Sequence, residues 1–163
     1  MNPSYGRSKS GDRVLIKKNK YPFKKYNFLC AIMYGKIVGY TLFPETTSGV
    51  KSTYIVEFHN TYIKDKFKDH LIIMDNVAMH KAKIIKEAIE SNGNTFMHSF
   101  PYHAETNSAI EEFFSQLKAY VKKESPATYD DLKKCIDNVI KDKIKKEHYE
   151  HYLYHMFFPD KKK

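Results

Sequence analysis

Apolar residues run along this chain with two periods, and the change from one to the other predicts where strands and helices lie. Short continuous or alternating apolar runs are typical of strands, whereas apolar residues three and four positions apart are typical of amphipathic helices. Strands are predicted at residues 28–33, 37–43, 71–74 and 94–99, and helices at residues 50–67, 79–91, 108–123 and 128–140. This order of elements predicts a mixed α/β sheet flanked by helices.

Local signals set the ends of several of these elements. Gly35 is expected in the turn of the first hairpin, because glycine tolerates a positive φ angle. Ser52 or Thr53 is predicted to cap the first helix. Thr128 and Asp131 have the spacing of a capping box, which predicts where a C-terminal helix begins.

Two groups of acidic residues follow from this layout. The strand at residues 71–74 has no polar interruption, which is typical of a strand buried on both faces, and Asp75 ends it. Chemistry in α/β sheets is usually placed at the carboxyl ends of strands. Glu111 and Glu112 open a later helix, and the layout can bring Glu111 to face Asp75. Paired carboxylates suit Mg²⁺ or Mn²⁺, and two such ions about 3.5–4 Å apart can clamp a phosphodiester displacement.

Composition and charge favour a polyanionic partner. The chain has 163 residues, enough for one domain with a core, and 42% of them are hydrophobic. No apolar run approaches the length of a membrane span, and we expect neither a membrane helix nor a secretory signal. Cys30 and Cys135 are expected as reduced thiols, and no spacing predicts a zinc site. The net charge of +9, concentrated in the first 25 residues and the last third, favours binding to a polyanion such as nucleic acid.

Several short motifs occur in order and together carry a resemblance. They are Met74-Asp75-Asn76 with His80-Lys81, then Phe100-Pro101-Tyr102, then Asn107 with the run from Ile110 to Lys118. Over roughly residues 5 to 123 the chain resembles the DDE transposase domain of the Tc1/mariner and insertion-sequence 630 superfamily. The resemblance implies an RNase H-like fold and a DNA endonuclease and strand transferase that uses three acidic residues and two divalent metal ions, Mg²⁺ or Mn²⁺.

The resemblance also assigns roles to individual residues. Asp75 matches the second acid of the family, and Glu111 matches the third, with Glu112 as the alternative because one residue is inserted after Asn107 and the family's proline is missing. Asp75 and Glu111 are therefore the expected catalytic and metal-binding residues. Supporting roles are expected for Asn76, His80 and Asn107, and DNA contacts for Arg7, Arg13, Lys118 and Lys122.

The first acid of the family lies on a strand upstream of the segment that Tyr5-Gly6-Arg7-Ser8 resembles, so we expect that strand and its aspartate to be absent here. Asp12 aligns with a non-catalytic position. The expected architecture is a partial RNase H-like catalytic domain at residues 1–124, lacking its first strand, with a helical extension at residues 125–163.

Three functions remain open on these grounds. The first is a transposase domain that cleaves and joins DNA, and the second is an inactive transposase remnant that binds DNA or another protein. The third is an RNase H-like nuclease with a substitute acid. The expected partners are transposon-end and target DNA, with a second copy of the chain or a complementing N-terminal transposase fragment. The expected location is with DNA, in the nucleus of a eukaryote or the cytoplasm of a bacterium.

Overall fold

The computed structural model describes residues 26–44, 49–99 and 108–158. Its elements, in chain order, are β1 (Phe28–Met33), β2 (Lys36–Leu42), α1 (Ser52–Tyr62), β3 (Leu71–Met74), α2 (Lys83–Ser91), β4 (Thr95–His98), α3 (Ser108–Glu124), α4 (Tyr129–Asn138) and α5 (Lys146–Phe157). A 3₁₀ turn at Ala78–Lys81 precedes α2, and a π-helical turn at Val139–Lys143 follows α4. The predicted alternation of strands and helices is therefore confirmed.

The first sheet is an antiparallel hairpin. Phe28 pairs with Leu42 at its open end, and the register shifts once, between Ala31 and Ile32. Gly35 occupies the turn with a φ of +76°, a conformation in which a side chain would be strained. The predicted hairpin and its glycine turn are confirmed.

The second sheet consists of β3 and β4, which pair in parallel. Leu71 pairs with Thr95 and Met74 with His98, and the Ser99 N–H donates to the Met74 carbonyl at 2.7 Å. In the described ranges no strand joins β1 to β3. Residues 1–25 lie outside those ranges, so the expected loss of the first strand stays a prediction. The prediction of a strand buried on both faces is wrong, because no residue of β3 is fully buried: Leu71 is 52% exposed, and the other three are half-buried.

The core consists of two hydrophobic clusters. The larger one surrounds Phe113, which is fully buried, and draws residues from β2, α3, α4 and α5. The smaller one lies around Ile55, Ile85 and Ile89 on α1 and α2, and receives side chains from β3 and β4. β1 contributes to both clusters: Leu29 packs in the smaller and Phe28 in the larger. Because successive strand residues point to opposite faces, this sheet has helices on both sides.

The helix ends follow the sequence in one case and depart from it in another. The capping box of Thr128 and Asp131 at the start of α4 is present as predicted. The predicted cap at Ser52 or Thr53 is wrong, since Lys51 precedes α1 and no side chain caps it.

Cys30 and Cys135 are both free thiols, and burial raises the pKa of Cys30 to about 12, so this thiol stays protonated and unreactive.

No helix in the described part of the chain is long and apolar enough to cross a membrane.

Candidate functional site

Asp75 lies immediately beyond β3, at the carboxyl edge that β3 shares with β4. Its carboxylate is in direct contact with Nδ1 of His80, and the same nitrogen lies 3.2 Å from the Asp75 carbonyl oxygen. The Asp75 side chain is 47% exposed, whereas that of His80 is only 17% exposed. The short 3₁₀ turn thus folds His80 back over the strand end, where it orients a carboxylate that still faces solvent.

Asn76 follows Asp75 and is exposed. It therefore lies at the same strand end as Asp75.

The two glutamates of α3 have different environments. Glu112 is about one-third exposed, and its carboxylate oxygens lie 3.0 and 3.2 Å from Nδ1 of His155 on α5. Glu111 is exposed and lies in the first turn of α3. Helical geometry separates neighbouring residues by about 100°, so Glu112 faces α5 while Glu111 faces outward. Glu111 is the carboxylate that remains available for a ligand.

One outward face of α3 continues from Glu111. Residues 111, 115, 118 and 122 are all exposed and fall at helical spacings of four, three and four. Lys118 and Lys122 lie on this face, and Nζ of Lys118 sits 5.7 Å from the centroid of the Phe114 ring. We call these four residues the α3 stripe. It leads from a carboxylate to two cations over about 16 Å of helix.

The donor chemistry fits a hard divalent cation, although the described residues do not complete a site. Among them, no three His, Cys, Asp or Glu side chains converge where they could share a metal ion. Glu111 therefore does not join Asp75 and His80 in one cluster. Carboxylate oxygens are the donors that Mg²⁺ and Mn²⁺ prefer, and Asp75 and Glu111 supply them on exposed side chains.

Three of the expected site residues, Arg7, Arg13 and Asn107, lie outside the described residues, as does the Phe100-Pro101-Tyr102 motif. Sequence reasoning did not single out His155, which engages Glu112, because the pairing joins residues 43 positions apart. It also missed Lys83, Lys86 and His98, which line a cleft beside His80. The close spacing of lysines after His80 was the signal available for them.

A family model described as DDE superfamily endonuclease matches residues 1–133. The match covers 133 of the 163 residues of the chain. The chain belongs to the DDE superfamily endonuclease family. No curated protein matches it.

Solved structures of Mos1 transposase are similar to this chain in fold. The Mos1 paired-end complex with left transposon end has a TM-score of 0.73 and 14% identity, over 93% of this chain and 46% of that one. The catalytic domain of Mos1 mariner transposase has a TM-score of 0.67 and 16% identity, over 82% and 69%. That domain with Raltegravir and Mn gives 0.67 and 16%, over 82% and 70%. The RNase H-like fold is thereby confirmed, and the chain spans about half the length of the Mos1 chain in the paired-end complex.

Proposed function

We propose that this chain carries the metal-dependent DNA cleavage and strand-transfer site of a transposase, with Asp75 and Glu111 as two of its acids. The observation that carries the proposal is the half-exposed Asp75 carboxylate held by His80 at the carboxyl edge of a parallel strand pair. The family match and the Mos1 structures, one with a transposon end and one with Mn, support the same chemistry.

Each residue of the proposed site has a definite task. Asp75 and Glu111 would hold the divalent ions, which activate the attacking water or 3′-hydroxyl and stabilise charge on the phosphate when bound. His80 fixes the carboxylate of Asp75, so less conformational freedom is lost when a ligand arrives. Asn76, beside Asp75, would contact the DNA that approaches this carboxylate. No covalent protein nucleophile is required.

DNA would approach along the α3 stripe. Lys118 and Lys122 contact phosphates on one side of the scissile bond, because they share the outward face of the helix with Glu111. Contacts of this kind position the duplex without reading its sequence. DNA contacts by Arg7 and Arg13 and a supporting role for Asn107 remain predictions. The division of the chain into a catalytic domain and a helical extension after residue 124 also remains a prediction.

Calorimetric Mn²⁺ titration and plasmid nicking test the proposal. Asp75→Asn keeps the shape of the side chain and removes its charge, and Asp130→Asn, an exposed acid on α4, is the matched control. We expect saturable Mn²⁺ binding and nicking in the unchanged chain and in Asp130→Asn, and loss of both in Asp75→Asn. Equal behaviour of the two variants would remove Asp75 from the site.

A second candidate is an inactive transposase remnant that binds DNA without cutting it. The absence of a three-ligand cluster among the described residues favours it. A folded chain that binds duplex DNA but neither takes up Mn²⁺ nor nicks plasmid would establish this function instead. A third, an RNase H-like nuclease with a substitute acid, would nick DNA without joining it to a second duplex.

The partner of the chain, beyond DNA, is proposed to be a strand from another polypeptide. In the described part of the chain β1 and β3 each pair with one strand, and a sheet edge is a template for pairing. A second copy or an N-terminal transposase fragment would supply the strand. Light scattering coupled to size exclusion, with and without such a fragment, distinguishes a homodimer, a heterodimer and a monomer.

A further inference from the structure

A cleft of about 440 Å³ lies next to the Asp75–His80 pair. The 3₁₀ turn, α2 and β4 line it on one side, it is open to solvent on the other, and we call it the α2 cleft. Its charged and polar lining consists of His80, Lys81, Lys83, Lys86, Glu90 and His98. His80 is the link to the candidate active site, because it lines the cleft and contacts the Asp75 carboxylate.

The charge of the α2 cleft suits an anion. Three lysines line it against one carboxylate, Glu90, before either histidine is counted. Lys86 lies 3.7 Å from Glu90, and Lys83 lies 3.3 Å from Glu87, in pairs one helical turn apart. Exposed pairs of this kind contribute only a few tenths of a kcal/mol. The lysines can therefore exchange their carboxylate partners for a phosphate at little cost.

His98 adds an imidazole ring to the lining of the α2 cleft. Its Nδ1 is buried and has no hydrogen-bond partner among the described residues. The Phe96 ring packs edge-on against the imidazole at 4.7 Å and fixes its orientation.

The position of the α2 cleft identifies the source of the anion. His98 is paired in register with Met74, the residue before Asp75, and His80 both lines the cleft and contacts the Asp75 carboxylate, so the cleft borders the candidate active site. We propose that the α2 cleft binds a backbone phosphate of the DNA strand that lies across Asp75. This inference rests on the proposed function, in which DNA reaches Asp75, and it adds a second contact path separate from the α3 stripe.

The test measures DNA affinity without metal, so it does not depend on cleavage. Fluorescence anisotropy of a labelled duplex in EDTA, at several salt concentrations, gives the slope of log Kd against log salt. The variant is Lys83→Gln with Lys86→Gln, and the matched control is Lys133→Gln with Lys134→Gln, two exposed lysines on α4. We expect the slope to fall by about 1 in the α2 variant, as for one lost phosphate contact, and to stay unchanged in the control.

Several outcomes decide the question. Equal slopes for the α2 variant and its control would overturn the inference, because the lysines would then act only through net charge. Replacing chloride by inorganic phosphate at equal ionic strength is the second arm. The observable in this arm is the NMR chemical shifts of the α2 residues. If phosphate changes these shifts while the salt dependence of DNA affinity is the same in the α2 variant and its control, the cleft binds free phosphate and the inference is wrong. Loss of slope without any metal-dependent nicking would leave the cleft in place and remove the proposed catalytic function instead.

Discussion

Replacing Glu111 and Glu112 one at a time separates the two tasks that neighbouring glutamates of α3 perform. Glu112→Gln removes the charge that faces His155 across a distance of 3.0 Å. Both side chains of that pair are about one-third exposed, so solvent screens the interaction. We expect a loss of about 0.2–1 kcal/mol in the free energy of unfolding. Since about 1 kcal/mol shifts Tm by roughly 2–4 °C in a chain of this size, the shift is small but measurable.

Glu111→Gln has a similar effect on stability for another reason, because a carboxylate in the first helical turn interacts with the helix dipole by about 0.3–1 kcal/mol. Stability alone therefore does not distinguish the two glutamates, and the coupling to His155 does. A double-mutant cycle with His155→Ala should give a coupling energy of about 0.2–1 kcal/mol for Glu112 and close to zero for Glu111.

Mn²⁺ calorimetry completes the comparison. We expect Glu111→Gln to weaken metal binding at least about tenfold, or roughly 1.4 kcal/mol, and Glu112→Gln to leave it unchanged. The opposite result, with metal binding lost in Glu112→Gln and kept in Glu111→Gln, would refute the assignment of the acid. A zero coupling between Glu112 and His155 would refute the structural part of the reasoning.

Two further predictions concern α1 and the strand it covers. Gly39→Ala would place a Cβ 2.8 Å from Cε1 of Tyr62, which is too close, and the Tyr62 ring is held there because its hydroxyl donates to the Tyr40 carbonyl at 2.8 Å. We expect the variant to lose about 1–3 kcal/mol of unfolding free energy in urea. An unchanged urea midpoint would contradict this contact. Burial lowers the pKa of His59 below its ordinary 6.5, so the unfolded chain binds a proton there that the folded chain does not, and stability falls as pH drops through about 6.5. His59→Leu should reduce the fall in Tm between about pH 7 and pH 5.5, whereas His151→Leu, at an exposed position, should not; equal profiles would show that His59 is not responsible.

Much of the local structure was readable from the sequence because it depends on local chemistry. The hairpin needed only two apolar runs and Gly35, and α4 needed only the spacing of Thr128 and Asp131. Asp75 could be placed at a strand end because an apolar run and a polar stop are adjacent in the chain. The prediction of a cap at Ser52 or Thr53 was wrong because the helix begins one residue earlier than that residue type suggests. Ser52 is already the first residue of α1.

The tertiary structure decided what depends on distant residues. The sequence left Glu111 and Glu112 open, and only the packing of α5 on α3 showed that His155 engages Glu112. The α2 cleft likewise needed β4 to bring His98 next to residues of the preceding turn and helix. The acids and lysines of this protein are thus specified by the sequence, but which of them face a ligand is set by helix packing and strand register. Helix packing and strand register follow from the burial of two separate apolar clusters rather than from any local sequence pattern.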